Sequence, residues 1–215
     1  MPAGNLLIDT SPDLRQQLLR ENIGIVHAVL YTHEHADHVY GLDDLRLMQF
    51  YLGGPVPLYC EEKVEQRIRK SYDYAFAASG THPGAVPQLV FRRITTAPFD
   101  ALGERITPIP MQHGPRFDVF GFRIGNVAYC TDTNAIPSAS MALLAGLDCL
   151  VLDALRPTGH ATHFGLDEAI EVARQLAPQQ TYFTHMSHEL EHEATNARLP
   201  KGMALAYDGL RIPLT

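Results

Sequence analysis

The 215-residue chain has few cysteines, no long apolar run and a shortage of positive charge. Its three cysteines, Cys60, Cys130 and Cys149, are odd in number, widely spaced and form no C-x-x-C pair. That pattern excludes a disulfide framework and a cysteine zinc knuckle; it fits reduced thiols in a cytoplasm, read here as small buried apolar residues. No stretch approaches the roughly 18 to 20 apolar residues of a membrane span, and residues 1–10 lack the charged start and apolar core of a secretion signal. A cytoplasmic location without a membrane partner is therefore expected. Lysine and arginine number 17 against 24 acidic residues, a formal net charge of −7, which argues against a broad face built for nucleic-acid phosphates. Internal repeats, low-complexity segments and linkers are also missing. With 46% hydrophobic and 19% charged residues, the length suits one domain over residues 1–215 with a single well-covered core.

What is present is an alternation of short β-type runs with helical patterns. Strands are expected at 5–8, 25–31, 56–60, 89–94, 105–109, 119–124, 127–130, 148–152, 181–184 and 203–207. Helices are expected at 12–21, where Pro12 suits the first turn, at 42–51 and at 166–177. In the last, Leu166, Ala169, Ile170, Ala173 and Leu176 form one stripe, and Pro178 stops it. Segments 79–88 and 133–138, punctuated by Gly and Pro, read as loops. The order implies an α/β architecture.

One stretch carries chemistry. THEHADHVYG, residues 32–41, follows the apolar run IVHAVLY and places three histidines and an aspartate within six positions. Residues 32–40 read as a turn at a strand's C-terminal edge, where side chains converge. His33 and His35 can share one metal while Asp37 and His38 serve another; imidazole and carboxylate suit Zn²⁺ or Mn²⁺. One loop supplies too few ligands for a catalytic centre. His113 after strand 105–109, Asp132 after VAYC and His185 after TYFT each follow a strand, so all can lie at one sheet edge.

With these residues the chain resembles the metallo-β-lactamase superfamily, whose H-x-H-x-D-H signature reads HEHADH at 33–38. The resemblance implies a four-layer αββα sandwich with its site at one edge. It implies one metal on His33, His35 and His113, a second on Asp37, His38 and His185, and Asp132 bridging both. The segments LLIDTSPDLRQQLLRENI, GLDDLR, LVLDALR, HATHFGLDEA, THMSHELEHE and LAYDGLRI look most like the phosphoribosyl cyclic phosphodiesterase branch, close to the tRNA 3′-processing endonucleases. Both act on phosphodiesters. An aspartate at 132 departs from the β-lactam hydrolases, which disfavours antibiotic hydrolysis.

The resemblance thus implies a dinuclear hydrolase in which a metal-bridging hydroxide, oriented by Asp37, attacks a small cyclic or nucleotide-like phosphodiester. The leaving oxygen needs an acid; THFG matches that role at His163, with Asp153 holding its imidazole, and His160 is the rival. Asp9 and Asp208 resemble carboxylates that fix ligand imidazoles. Asp43 and Asp44 begin a helix, where negative charge suits the N-terminus. His27, His82 and His192 read as packed, loop and surface residues; His188 stays open as a phosphate contact. Relatives carry an N-terminal strand pair before the LLIDT-like strand, whereas this sequence begins MPAGNLLIDT; either the pair is missing, which would leave an edge strand open to homodimer pairing, or the natural chain is longer than this sequence. A tRNA 3′-processing endonuclease is the runner-up, disfavoured by net charge and by the lack of a basic, glycine-rich arm. A lactone or thioester hydrolase and a non-catalytic metal-binding protein are the remaining alternatives.

Overall fold

A computed structural model describes residues 3–77 and 85–213. His82 and residues 79–84 of the expected loop lie outside the described residues. The chain divides into two compact units, Met1–Arg105 and Ile106–Thr215. No helix among the described residues is long and apolar enough to cross a membrane.

The first unit carries β1 (Leu6–Ile8), α1 (Leu14–Arg20), β2 (Ala28–Leu30), α2 (Ala36–Val39), a 3-10 segment (Leu42–Leu47), α3 (Met48–Leu52), β3 (Val56–Cys60), α4 (Glu62–Ser71), α5 (Asp73–Phe76), β4 (Leu89–Arg93) and β5 (Phe99–Ala101). Strands β1 to β4 form a parallel sheet in sequence order. β2 is buried along its whole length, as a strand covered on both faces must be, and this explains its continuous apolar reading. Its core joins Leu14, Val29, Tyr31, Leu58 and Ile68. The buried Tyr31 hydroxyl is satisfied by Thr10 Oγ1 at 2.9 Å.

Three local expectations change here. The expected strand 25–31 shortens to Ala28–Leu30, and the expected turn 32–40 contains one helical turn, α2. The helix expected at 42–51 divides into the 3-10 segment and α3, so Asp43 and Asp44 sit in the first turn of a 3-10 segment. Gly41 explains part of this. Its N–H donates to Thr10 O at 2.9 Å, and an added Cβ would lie 1.9 Å from Ser11 O, so only glycine lets the chain turn there.

The second sheet follows the order β11-β10-β9-β8-β7-β6-β5, and the boundary between the units falls inside β6 (Glu104–His113). After β6 come β7 (Phe117–Ile124), β8 (Val127–Cys130), α6 (Ser138–Leu143), β9 (Cys149–Asp153), α7 (Leu166–Leu176), β10 (Gln180–Thr184), α8 (His192–Asn196) and β11 (Met203–Leu205). β8 to β11 are parallel, while β7 is antiparallel to both β6 and β8. β6, β8, β9 and β10 consequently run the same way and end at one edge. The α7 stripe packs as expected: Ala169 and Ala173 are buried, with Leu166, Ile170 and Leu176 against the same core as Leu150, Leu152 and Phe183.

β6 is twice as long as the expected 105–109, so His113 is the last residue of the strand rather than a residue beyond it. Pro108 and Pro110 stand opposite Phe122 and Phe120 of β7, and Gln112, in the same parity, donates its N–H to Ala135 O on the other edge, so the positions of the prolines are those whose N–H would point away from β7. The sequence reading missed β5, α2, α4, α5, α6 and α8, all of ten residues or fewer.

All three cysteines are buried as free thiols. Burial pushes the Cys60 and Cys130 thiols up to about 12, which keeps them neutral.

α4 is tied to β4 through one buried carboxylate. Glu65 accepts from Arg69 Nε and Arg93 Nε, each at 2.8 Å. The Arg69 guanidinium lies over the Phe76 and Phe91 rings, 4.7 Å from each centroid. Burial opposes the Glu65 charge, but the Arg93 and Arg69 hydrogen bonds and charges outweigh it and hold the carboxyl below its usual range. The folded pKa is depressed, so the stabilisation is present above the unfolded pKa and is lost as pH falls through the folded one. Glu65→Gln is expected to cost about 1–2 kcal/mol at neutral pH. Urea titrations of both proteins should show the gap closing below about pH 4; a gap independent of pH would contradict the ion-pair account.

Candidate metal centre

Each unit presents a cluster of metal-ligating side chains at the C-terminal ends of its parallel strands, the edge where open α/β sheets place ligands. In the first unit the loop after β2 folds back on the residue after β1. Asp9, buried and at φ +60°, accepts from Thr32 N and Thr32 Oγ1, each at 2.8 Å, and from His38 Nδ1 at 2.8 Å. His33 Nδ1 lies 3.0 Å from Thr32 Oγ1. With the Thr32 hydroxyl donating to Asp9, this nitrogen donates to Thr32. The Nε2 lone pairs of His33 and His38 are thereby left for another partner.

Those atoms come in pairs. His33 Nε2 stands 2.9 Å from His35 Nδ1, and His38 Nε2 stands 3.4 Å from Asp37 Oδ2. His33 and His38 are buried, His35 is half-buried, and the Asp37 side chain is 59% exposed. His33 thus lies beside His35, and Asp37 beside His38. The His33 and His38 rings also lie side by side, 4.1 Å between centroids.

The second unit gathers His113 from the end of β6, Asp132 after β8, Asp153 from the end of β9 and His185 after β10. Asp132 Oδ2 lies 3.5 Å from His185 Nε2 and 4.0 Å from His113 Nε2. His113 Nδ1 donates to Thr162 O at 2.7 Å, and Thr131 Oγ1 donates to Asp132 Oδ1 at 2.8 Å. Asp132 and His185 occupy the left-handed region, at φ +54° and +61°. Together with Asp9, three of the six non-glycine residues with positive φ among the described residues are therefore strand-end residues of these clusters. Such backbone strain concentrates where it aims functional groups.

Beside this set sits a second pair. His163 Nδ1 is 2.9 Å from Asp153 Oδ2, and the Asp153 side chain is fully buried. The same oxygen accepts from Thr133 N at 2.9 Å. Burial raises the Asp153 carboxyl above its ordinary range, and the His163 hydrogen bond pulls the other way. The His163 ring stacks on His185 at 4.8 Å and stands edge-on to His113 at 4.7 Å. Ligand-type atoms of Asp153, His163 and His185 all lie within 4.8 Å of one another. His160, the rival, is exposed, with Nδ1 3.1 Å from Thr162 Oγ1 and no carboxylate partner among the described residues.

The donor chemistry fits divalent cations. Two ligand atoms bound ~2.0–2.1 Å from a tetrahedral cation stand roughly 3.3 Å apart. The 3.4 Å and 3.5 Å separations of Asp37 from His38 and of Asp132 from His185 match that spacing and exceed an ordinary hydrogen bond. Among the remaining candidates, His27 accepts from Asn5 N at 3.0 Å, while His188, His192 and Asp208 are exposed. Thr32 and Thr162 escaped sequence reasoning; Thr32, next to HEHADH, was the more legible of the two.

Residues 4–186 match the family model described as a β-lactamase superfamily domain. The chain belongs to that superfamily. Among solved structures, a diphosphatase from the PhnP family is 43% identical, with a TM-score of 0.90, covering 98% of this chain and 80% of that one. The superfamily likeness extends to the human short-form tRNase Z, at 18% identity and a TM-score of 0.73 over 97% of this chain and 88% of that one. Zn²⁺-bound PqqB from Methylobacterium extorquens is 20% identical, with a TM-score of 0.72 over 97% and 83%. At those identities the last two show the fold alone. An octanoyltransferase of Porphyromonas gingivalis is 33% identical over 207 residues, 95% of this chain; the chain spans 41% of that relative's length. The protein has the metallo-β-lactamase fold, with its two sheets.

Asp9 anchors two candidate ligands at once. Asp9→Ala is expected to weaken Zn²⁺ affinity by about 10- to 100-fold, measured by competition with a chromogenic chelator. Unchanged affinity would show that His38 and Thr32 need no carboxylate.

Proposed function

We propose that the protein is a dinuclear phosphodiesterase acting on a small cyclic or nucleotide-like substrate. In this reading His33, His35 and His113 hold one cation, Asp37, His38 and His185 hold the other, and Asp132 serves both; Zn²⁺ is the expected metal and Mn²⁺ the alternative. When bound, two such cations acidify water and balance the negative charge that builds on phosphorus during in-line displacement.

The observation that carries the reading is the His163–Asp153 pair at the same strand-end edge as Asp132. A phosphodiester releases an alcohol, whose oxygen leaves readily only if it is protonated. His163 Nδ1–H donates to Asp153, which fixes the ring and leaves Nε2 to carry a proton to that oxygen. Asp37, one oxygen 3.4 Å from His38 Nε2, has a second oxygen with which to orient the attacking water. The likeness to a diphosphatase supports attack at phosphorus. In a disubstituted diphosphate each phosphorus carries one ester and one anhydride link, so the same arrangement serves both substrate types.

The net charge of −7 favours a small substrate over a nucleic acid, and a cytoplasmic location remains part of the proposal. A second reading, hydrolysis of a carboxylic ester or thioester, draws on the likeness to an octanoyltransferase.

Protein expressed with added metal is expected to hold about two divalent ions per chain by elemental analysis, the number that a paired-cation site requires; none would count heavily against the proposal. His163→Ala should lower turnover of bis-p-nitrophenyl phosphate by about 10²- to 10⁴-fold with metal content retained. Asp132→Ala should reduce both. If His160→Ala abolished turnover and His163→Ala did not, the acid would be His160. A panel adding a five-membered cyclic ribose phosphate, an octanoyl thioester, a lactone and a precursor tRNA, each with Zn²⁺ and with Mn²⁺, separates the two readings.

A further inference from the structure

The two residues that follow Asp132 register the loop that carries His163. Asn134 N donates to Gln112 O at 3.0 Å, Gln112 N donates to Ala135 O at 2.9 Å, and the buried Thr133 hydroxyl also donates to Gln112 O at 2.9 Å. The segment is thereby fastened to the end of β6, one residue before His113. From that anchorage both flanks of His163 are held. Thr133 O accepts from Phe164 N at 2.8 Å, one residue after the histidine, and Asn134 Nδ2 donates to Ala161 O at 3.2 Å, two residues before it. Thr133 N donates at 2.9 Å to the same Asp153 oxygen that His163 Nδ1 bonds.

The Asn134 side chain has a second partner. Its Oδ1 accepts from Gly114 N at 2.7 Å, in the turn between β6 and β7. With a backbone donor on one side and a backbone carbonyl on the other, the amide has one orientation that satisfies both. It therefore clamps the turn after His113 to the loop before His163. Packing agrees with the clamp. Gly114 has φ +72°, and a Cβ there would lie 2.6 Å from Thr162 Cγ2, so turn and loop are already in contact. Thr162 O, inside the clamped loop, is also the acceptor that fixes the His113 ring.

We propose that Asn134 is a positioning residue for the acid: its amide sets where the His163 ring stands, so that Nε2 meets the leaving oxygen. This inference rests on the phosphodiesterase reading above, in which His163 gives that oxygen its proton. A reacting group misplaced by about 1 Å loses on the order of 100-fold in rate. Removing the amide releases one flank of His163 while Phe164 N and Asp153 still hold the other, so the loss is expected to be smaller, about tenfold.

The test is a double-mutant cycle on bis-p-nitrophenyl phosphate at saturating Zn²⁺, comparing wild type with N134A, H163A and N134A/H163A. N134A should lower kcat about tenfold and leave KM within about twofold of wild type. In the H163A background the same change should alter kcat by less than about twofold, because no acid is left to position. A merely structural role would lower both backgrounds alike; that result, or wild-type kcat in N134A, would overturn the inference. A second readout needs no turnover. The His163 Nδ1 proton, identified by NMR through its absence in H163A, should exchange with water about tenfold faster in N134A while the Leu152 amide in β9 keeps its wild-type protection. Unchanged exchange of that proton would count against the clamp as decisively as unchanged kcat. If H163A itself turned over as fast as wild type, the assignment of the acid would fall, and the inference with it.

Discussion

The constraint on which the rest depends is the orientation of imidazole rings. A histidine binds a cation through one ring nitrogen only if the other is committed elsewhere and the ring cannot turn. His38 is committed to Asp9, His33 to Thr32, His113 to Thr162 O, and His163 to Asp153. Each anchor is buried or is backbone, so it competes poorly with water and holds its ring without motion. Asp9 does this for a whole loop: three hydrogen bonds from one carboxylate fix Thr32 and His38, and Thr32 passes the constraint to His33.

Backbone geometry delivers these anchors. Parallel strands end together, and a chain leaving a strand end must turn at once if its side chain is to project over the edge. The left-handed conformation of Asp9, Asp132 and His185 makes that turn. It costs roughly 1–2 kcal/mol per residue for ordinary side chains and less for aspartate. The apolar clusters around Val29 and Leu58 in one unit, and around Leu150 and Phe183 in the other, hold the strands against that strain. A site assembled this way keeps its candidate ligands on rigid elements.

The candidate metal donors were legible because their chemistry is rare and their spacing local. H-x-H-x-D-H needs no tertiary information to suggest two cations, and His113, Asp132 and His185 announced themselves by each following an apolar run. The pairing of His163 with Asp153 was also within reach, since a histidine ten residues after a strand-end carboxylate has a natural partner. Secondary structure was less legible where elements are short. α2 has four residues and α5 has four, too few for any periodicity to emerge, and the prolines in β6 masked a ten-residue strand whose pairing edge they leave untouched.

The sequence by itself determined the donor types of the candidate site, the alternation of strands and helices, and the superfamily. Tertiary structure decided which nitrogen of each ring faces outward, because that depends on Thr32, Thr162 O and Asp9, partners up to 49 residues away. It also decided between His160 and His163 as the ring bound to Asp153, because only folding brings one of the two beside a buried carboxylate and leaves the other in solvent. Chain order fixes what each residue can donate or accept; the pairing of distant segments fixes what is left over to do chemistry.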